Sequence, residues 1–129
     1  MSKYILLIDD DPDDADIFSD AVEDLNFDAT FNHFSNGIKA LESLADHSTF
    51  PPDIIFLDIN MPTITGWECL RELKKIAYLQ NIPIVMYTTS NLSKEVINAK
   101  DAGASAFLSK PCNFAKLKEE LSSLFIKLL

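Results

Sequence analysis

Pro52-Asp53-Ile54-Ile55-Phe56-Leu57-Asp58 is the stretch that decides the fold. Four apolar residues in a row, mostly β-branched or aromatic, sit between a Pro-Asp turn signal and an aspartate. A half-buried strand alternates apolar with polar, whereas a strand covered on both faces is apolar at every position. The same pattern recurs at Ile5-Leu6-Leu7-Ile8, which also runs into aspartate, and at Ile84-Val85-Met86-Tyr87, which runs into Thr88. Three strands of this kind predict a parallel sheet with helices on both sides.

Working outward, short β-rich runs alternate with segments of helical period along the whole chain. Strands are expected at 4–8, 29–34, 53–57, 82–87 and 105–109, and helices at 12–25, 38–45, 66–78, 93–102 and 113–129. Asp11-Pro12 offers an N-cap followed by proline at the first helical position, and Ser93-Lys94-Glu95 opens another helix with a polar cap. Asn36-Gly37 and Ala102-Gly103 are candidates for positive φ at a turn and a helix end. No repeat, low-complexity tract or linker interrupts the pattern. The expectation is one compact α/β domain over residues 1–129, a length that suits a single core. With only 113–129 following the last strand signal, any output is expected to pass through a surface rather than a separate domain.

The net charge is −9, from 20 acidic and 11 basic residues. The acids crowd at Asp9, Asp10, Asp11, Asp13 and Asp14, with Asp16 and Asp20 close behind. Direct nucleic-acid binding is disfavoured, because it needs clustered Lys and Arg to displace counterions. The apolar run after Met1-Ser2-Lys3 is too short for a signal peptide or a membrane span. Cys69 and Cys112 have neither a CxxC partner nor metal-ligand spacing, which suggests free thiols in a reducing, cytoplasmic setting.

Open α/β sheets gather functional groups beyond the carboxyl ends of their strands. The residues there are Asp9 and Asp10 after the first strand, Asp58 after the third, Thr88 after the fourth, and Lys110-Pro111 after the fifth. Three carboxylates in a partly desolvated cleft stay ionised together only beside a cation. Oxygen-only ligation selects a hard ion, Mg²⁺ first and Mn²⁺ as its substitute, which suits phosphoryl transfer because other coordination positions stay open to phosphate. A metal, a lysine and a hydroxyl around one carboxylate would neutralise the charge on a transferring phosphoryl group.

The chain resembles the response-regulator receiver family of two-component signalling, most closely its stand-alone, chemotaxis-type members. The resemblance is carried in order by Ile5 to Asp10, by Pro52 to Pro62 with Gly66 following, by Pro83 to Thr88, and by Gly103 to Pro111. It implies a flavodoxin-like three-layer sandwich, with five parallel strands in the order 2-1-3-4-5 and five helices. It also implies Asp58 as phosphoacceptor, with Asp10, the Asp58 carboxylate and the Asn60 main-chain carbonyl holding Mg²⁺ or Mn²⁺ and Asp9 acting through a bound water. Thr88 and Lys110 would meet the phosphoryl oxygens, Lys110 pairing with Asp58 beforehand. Pro111 corresponds to a cis-proline that aims Lys110. Asn60 and Ser90 occupy the positions that tune phosphoryl lifetime. Phe107 takes the aromatic switch position without the hydroxyl that chemotaxis-type members often carry there, and Thr89 stands where a smaller residue is common. The partners implied are a histidine kinase or phosphotransfer protein upstream and a protein target downstream. The phosphorylation and dephosphorylation are the protein's own, not turnover of a free substrate.

Ordinary readings stand beside these. Asp11, Asp13 and Asp14 fit a solvated N-cap and an acidic first helical turn favoured by the helix dipole. Phe18, Phe31, Phe56, Trp67 and Phe125 are expected in the core or in helix packing, and His33 and His47 as structural or surface residues. In the last helix Phe114, Leu117, Leu121, Leu124, Phe125 and Leu128 form a stripe facing the sheet, while Ile126 and Leu129 lie off it. Those two would serve a weak homodimer or a partner, or remain surface residues of a monomer. Two rival functions are an aspartate-nucleophile phosphatase and a pseudo-receiver. The first lacks a cap domain and has Asn60 where a second acid would stand; the second is opposed by the intact acids, hydroxyl and lysine.

Overall fold

A computed structural model of the chain describes residues 2–46, 50–89, 93–111 and 113–129, with 93–96 described for the main chain alone. Ser90, His47 and Cys112 fall outside the described residues. The elements run β1 (Lys3–Ile8), α1 (Pro12–Asp24), β2 (Ala29–Phe34), α2 (Gly37–Ala45), β3 (Ile54–Leu57), α3 (Gly66–Leu73), a 3₁₀ turn (Ala77–Leu79), β4 (Ile84–Thr88), α4 (Ser93–Asp101), β5 (Ala106–Ser109) and α5 (Phe114–Leu128). All neighbouring strands are parallel, in the order β2-β1-β3-β4-β5.

The unbroken apolar strands divide their side chains between two cores. Leu6, Ile8, Ile55, Leu57, Ile84 and Met86 pack with Ala40 and Leu44 of α2, Leu70 and Leu73 of α3, and Ala99 of α4. Ile5, Leu7, Ile54, Phe56, Val85 and Tyr87 pack on the opposite face with Phe18 and Val22 of α1 and Leu117, Leu121 and Phe125 of α5. Period-2 alternation still operates, but both faces are dry, so every position is apolar. Phe18 is the hub of the second core, with Phe56 and Tyr87 edge-on at 4.9 and 5.5 Å and Phe31 stacked at 5.7 Å. Trp67 packs half-buried against the first core.

Three local expectations change. α3 ends at Leu73 rather than 78: i→i+3 bonds from Lys75 and Ile76 tighten its last turn, and Tyr78 leaves the helical course to donate its hydroxyl to the Leu44 carbonyl. Asn36-Gly37 is a helix start, not a positive-φ turn. Asn36 is extended, with φ −146°, and its side chain accepts from the Ile38 and Lys39 amides. Gly37 is needed for space, because a Cβ there would lie 2.8 Å from Ile64 Cγ2. In α5, Phe114 turns out 39% exposed and Leu129 half-buried against the second core, so the apolar stripe begins at Leu117. Gly103 does adopt φ +96° at the end of α4, as its position required. The cap of α4 lies outside the described residues. Cys69 is a buried free thiol, and burial pushes it up to about 12, which leaves it inert.

Candidate functional site

The carboxyl edge of the sheet is assembled by strand pairing. The Asp58 amide donates to the Ile8 carbonyl at 2.9 Å, and the Asp9 amide to the Phe34 carbonyl at 3.0 Å. These bonds extend the β1–β3 and β1–β2 ladders one residue beyond the strands and bring Asp9 and Asp58 to the same edge. Carboxylate oxygens of Asp9, Asp10 and Asp58 all lie within 4.8 Å of one another. Asp9 is wholly buried and Asp58 is 5% exposed, while Asp10 is half-buried. The loop after Asp58 is held close by Gly66: its amide donates to the Ile59 carbonyl at 2.8 Å, and a Cβ at Gly66 would lie 2.3 Å from the Asp58 carbonyl oxygen. Thr63 bends that loop with φ 73° and an Ile64-to-Pro62 hydrogen bond of 2.8 Å, a γ-turn that is strained for a β-branched residue. Thr65 then starts α3 with a reciprocal capping box to Glu68, and those bonds hold the Glu68 carboxyl below its usual range.

Lys110 enters from the end of β5. Its amide donates to the Thr88 carbonyl at 2.6 Å, and its ammonium lies 5.2 Å from the centroid of the Tyr87 ring. Thr88 is fully buried beside it. The ammonium donates to Asp14 Oδ2 at 2.7 Å and to Asp9 Oδ2 at 2.9 Å, and lies 3.8 Å from Asp58 Oδ2. The expected Lys110–Asp58 pair is therefore the longest of three contacts. The cis bond expected at Pro111 is corrected: among the described residues no peptide bond is cis. Trans is the lower-energy isomer of an X–Pro bond by about 0.5–1 kcal/mol, and Lys110 is aimed by its pairing to Thr88 and by the two carboxylates.

Electrostatics follow from this crowding. Burial, then the charge of Asp9, push the Asp58 carboxyl up to about 7, against the pull of Lys110 and of the Asn60 amide 3.4 Å from Oδ1. Burial disfavours the Lys110 ammonium, but hydrogen bonds from it to Asp14 and Asp9 and the charges of Asp9 and Asp58 outweigh that and hold it above the ordinary lysine range.

Of the residues anticipated from sequence, Asp9, Asp10, Asp58 and Lys110 come together, with buried Thr88 paired to Lys110 through its main chain. Asn60 is exposed just beyond Asp58, and Phe107 is half-buried against the first core. One contributor was missed, Asp14, and His33, expected as a structural or surface residue, takes a structural place at the site. Asp14 is not merely part of an acidic turn, because it binds Lys110; the ordinary reading holds for Asp11, which caps α1 with its side chain, and for exposed Asp13. The signal for Asp14 was its place four residues before Phe18, on the inward stripe of α1. His33 places Nε2 2.7 Å from the Asp9 main-chain oxygen and so braces the β1–α1 loop; its spacing offered no signal.

A doubly wound parallel sheet in this order, with paired acids, an acceptor-like aspartate, a hydroxyl and a lysine at its carboxyl edge, defines the receiver class of α/β proteins. The family described as "Response regulator receiver domain" matches residues 5–122, and the chain belongs to it. The chain is 33% identical over 129 residues to the "Probable transcriptional regulator ycf29" of Pyropia yezoensis, matching 98% of itself and 55% of that relative. It thus spans little more than half the length of that protein. To the "Polar-differentiation response regulator DivK" of Brucella anthropi it is 26% identical over 123 residues, covering 95% of this chain and 96% of the relative. The Mn²⁺-bound form of response regulator Rcp1 superimposes with a TM-score of 0.83 at 27% identity, covering 95% of this chain and 91% of that one. No helix among the described residues is long and apolar enough to cross a membrane.

Proposed function

We propose that residues 1–129 act as one receiver unit that takes a phosphoryl group onto Asp58 from a histidine kinase or phosphotransfer protein and signals through a protein-binding surface. The observation that carries this reading is the placement of Asp58: almost fully buried, within ligand distance of two further carboxylates, and 3.8 Å from a lysine. An isolated cluster of this kind is costly, and its donor set of carboxylate oxygens fits a hard divalent cation.

Asp9, Asp10, Asp58 and the Asn60 main-chain carbonyl would hold Mg²⁺ or Mn²⁺; Rcp1, similar over nearly its whole length, is a Mn²⁺-bound relative. Bound there, the cation would neutralise charge on the phosphoryl oxygens and keep Asp58 ionised at neutral pH. An Asp58 carboxylate oxygen attacks phosphorus, a P–O bond forms, and the bond to the donor breaks with its electron pair leaving on the donor. Lys110 supplies positive charge to the phosphoryl oxygens from the β5 side, and the Thr88 hydroxyl reaches them from β4. The movement of Thr88 would then be felt at Phe107, where ring burial replaces any signal through a hydroxyl. Asn60 and Ser90 would set how readily water reaches the acyl phosphate.

Incubation with acetyl phosphate and Mg²⁺ is expected to give a single acid-stable, base-labile phosphoryl adduct by intact-protein mass. Asp58→Asn is expected to abolish it, and an adduct that persists in that variant would refute the assignment.

A further inference from the structure

The Lys110 ammonium has three N–H donors. Two are engaged, by Asp14 Oδ2 at 2.7 Å and Asp9 Oδ2 at 2.9 Å, while Asp58 Oδ2 stands at 3.8 Å, beyond hydrogen-bond length. We propose that Asp14 is a positioning residue that holds the Lys110 ammonium off Asp58, leaving the acceptor carboxylate to a divalent cation and the third N–H to the incoming phosphoryl group. This rests on the reading of Asp58 as acceptor and adds a control on that same site.

A mobile ammonium settles where the summed attraction of its carboxylates is greatest. With Asp14 present, that point lies between α1 and the end of β5; without it, only Asp9 and Asp58 remain among its described carboxylate partners. Asp9 and Asp58 are also two of the three carboxylates that converge to hold a cation. Lysine and metal would then compete for the same oxygens. The neighbouring Asp13 makes the case specific. It carries the same charge one residue away, yet it is exposed and makes no ion pair with Lys110. The Lys110 ammonium also lies 5.2 Å from the centroid of the Tyr87 ring, a cation–π contact that adds to the pull of the carboxylates.

The test is the Mg²⁺ dissociation constant of the unphosphorylated protein, measured by calorimetry in a double-mutant cycle. Asp14→Ala, and the isosteric Asp14→Asn as a check on folding, are expected to weaken Mg²⁺ binding about tenfold as the lysine falls back on the ligand oxygens. Asp14→Glu should recover most of the affinity, and Asp13→Asn should change it by less than about twofold, the scale of a screened surface charge. In a Lys110→Ala background the Asp14→Ala effect should shrink to less than about threefold. Equal weakening with and without Lys110 would overturn the proposal, as would no weakening at all. Failure of the wild-type protein to bind Mg²⁺ would remove the metal site and the proposal with it. If the cycle behaves as expected while acetyl phosphate leaves no adduct, the acceptor reading fails and the positioning role stands.

Discussion

Phe56 and Asp58 stand two residues apart, one inside strand β3 and one just past its end, and both are almost completely shielded from water. Their burial works in opposite directions. Phe56 lies between Phe18, Tyr87 and Phe125, so removing it from water stabilises the fold. Asp58 faces Asp9 and Asp10, so the same loss of solvent opposes its ionisation and stores a cost at the sheet edge. The strand bodies thus supply stability, and the row of residues just beyond them uses part of it to keep three carboxylates together, which on the proposed reading serve a cation and a phosphoryl group. The difference teaches where variation should hurt folding and where it should relieve it.

The contrast can be broken most severely at Phe56. Phe56→Ala leaves a cavity at the meeting point of three aromatic rings and is expected to lower unfolding free energy by about 3–5 kcal/mol in urea titrations. The opposite sign is expected at the edge. In chelator at pH 7, Asp58→Asn should raise stability by about 2–4 kcal/mol, because it replaces a buried carboxylate with a neutral side chain of the same shape. Gly66→Ala joins the two regions, since its methyl would meet the Asp58 main chain. A loss of about 1–3 kcal/mol is expected, together with slower acetyl phosphate labelling as the acceptor shifts. Smallest is Thr65→Ala, which removes the α3 capping box at about 0.5–2 kcal/mol and should leave labelling unchanged.

How far the sequence reveals this division depends on the distance over which each feature is specified. The strand bodies are local patterns, and each strand lies within two residues of its expected position; β1, β3 and β4 are the plainest because a doubly covered strand must be apolar throughout, whereas edge strand β2 alternates in exposure. Asp9, Asp10, Asp58, Thr88 and Lys110 were legible because topology alone brings strand ends together. Asp14 was only half legible: its place four residues before Phe18 puts it on the inward stripe of α1, but its partner Lys110 is 96 positions away. Gly66 could be recognised as a glycine but not as the point where α3 touches the Asp58 backbone. The shortening of α3 came from Tyr78 reaching across to α2, a tertiary bond that helical periodicity does not contain.

The claim that the sheet edge stores a cost which either a proton or a cation relieves is tested by the pH dependence of stability. Asp58 sits at about 7 in the folded chain against an ordinary value of 3.8. Below about pH 4 both folded and unfolded states are protonated there, and its full contribution is present. As pH rises toward 7 the unfolded chain ionises first, so that contribution is lost, by about 4 kcal/mol at most. The decisive measurement is the unfolding free energy of wild-type protein minus that of Asp58→Asn between pH 4 and pH 8, in chelator and in excess Mg²⁺. The difference should fall steadily from pH 4 to 7 in chelator and should be largely restored at pH 7 by Mg²⁺. A difference that stays flat with pH, or that Mg²⁺ does not move, would contradict the account.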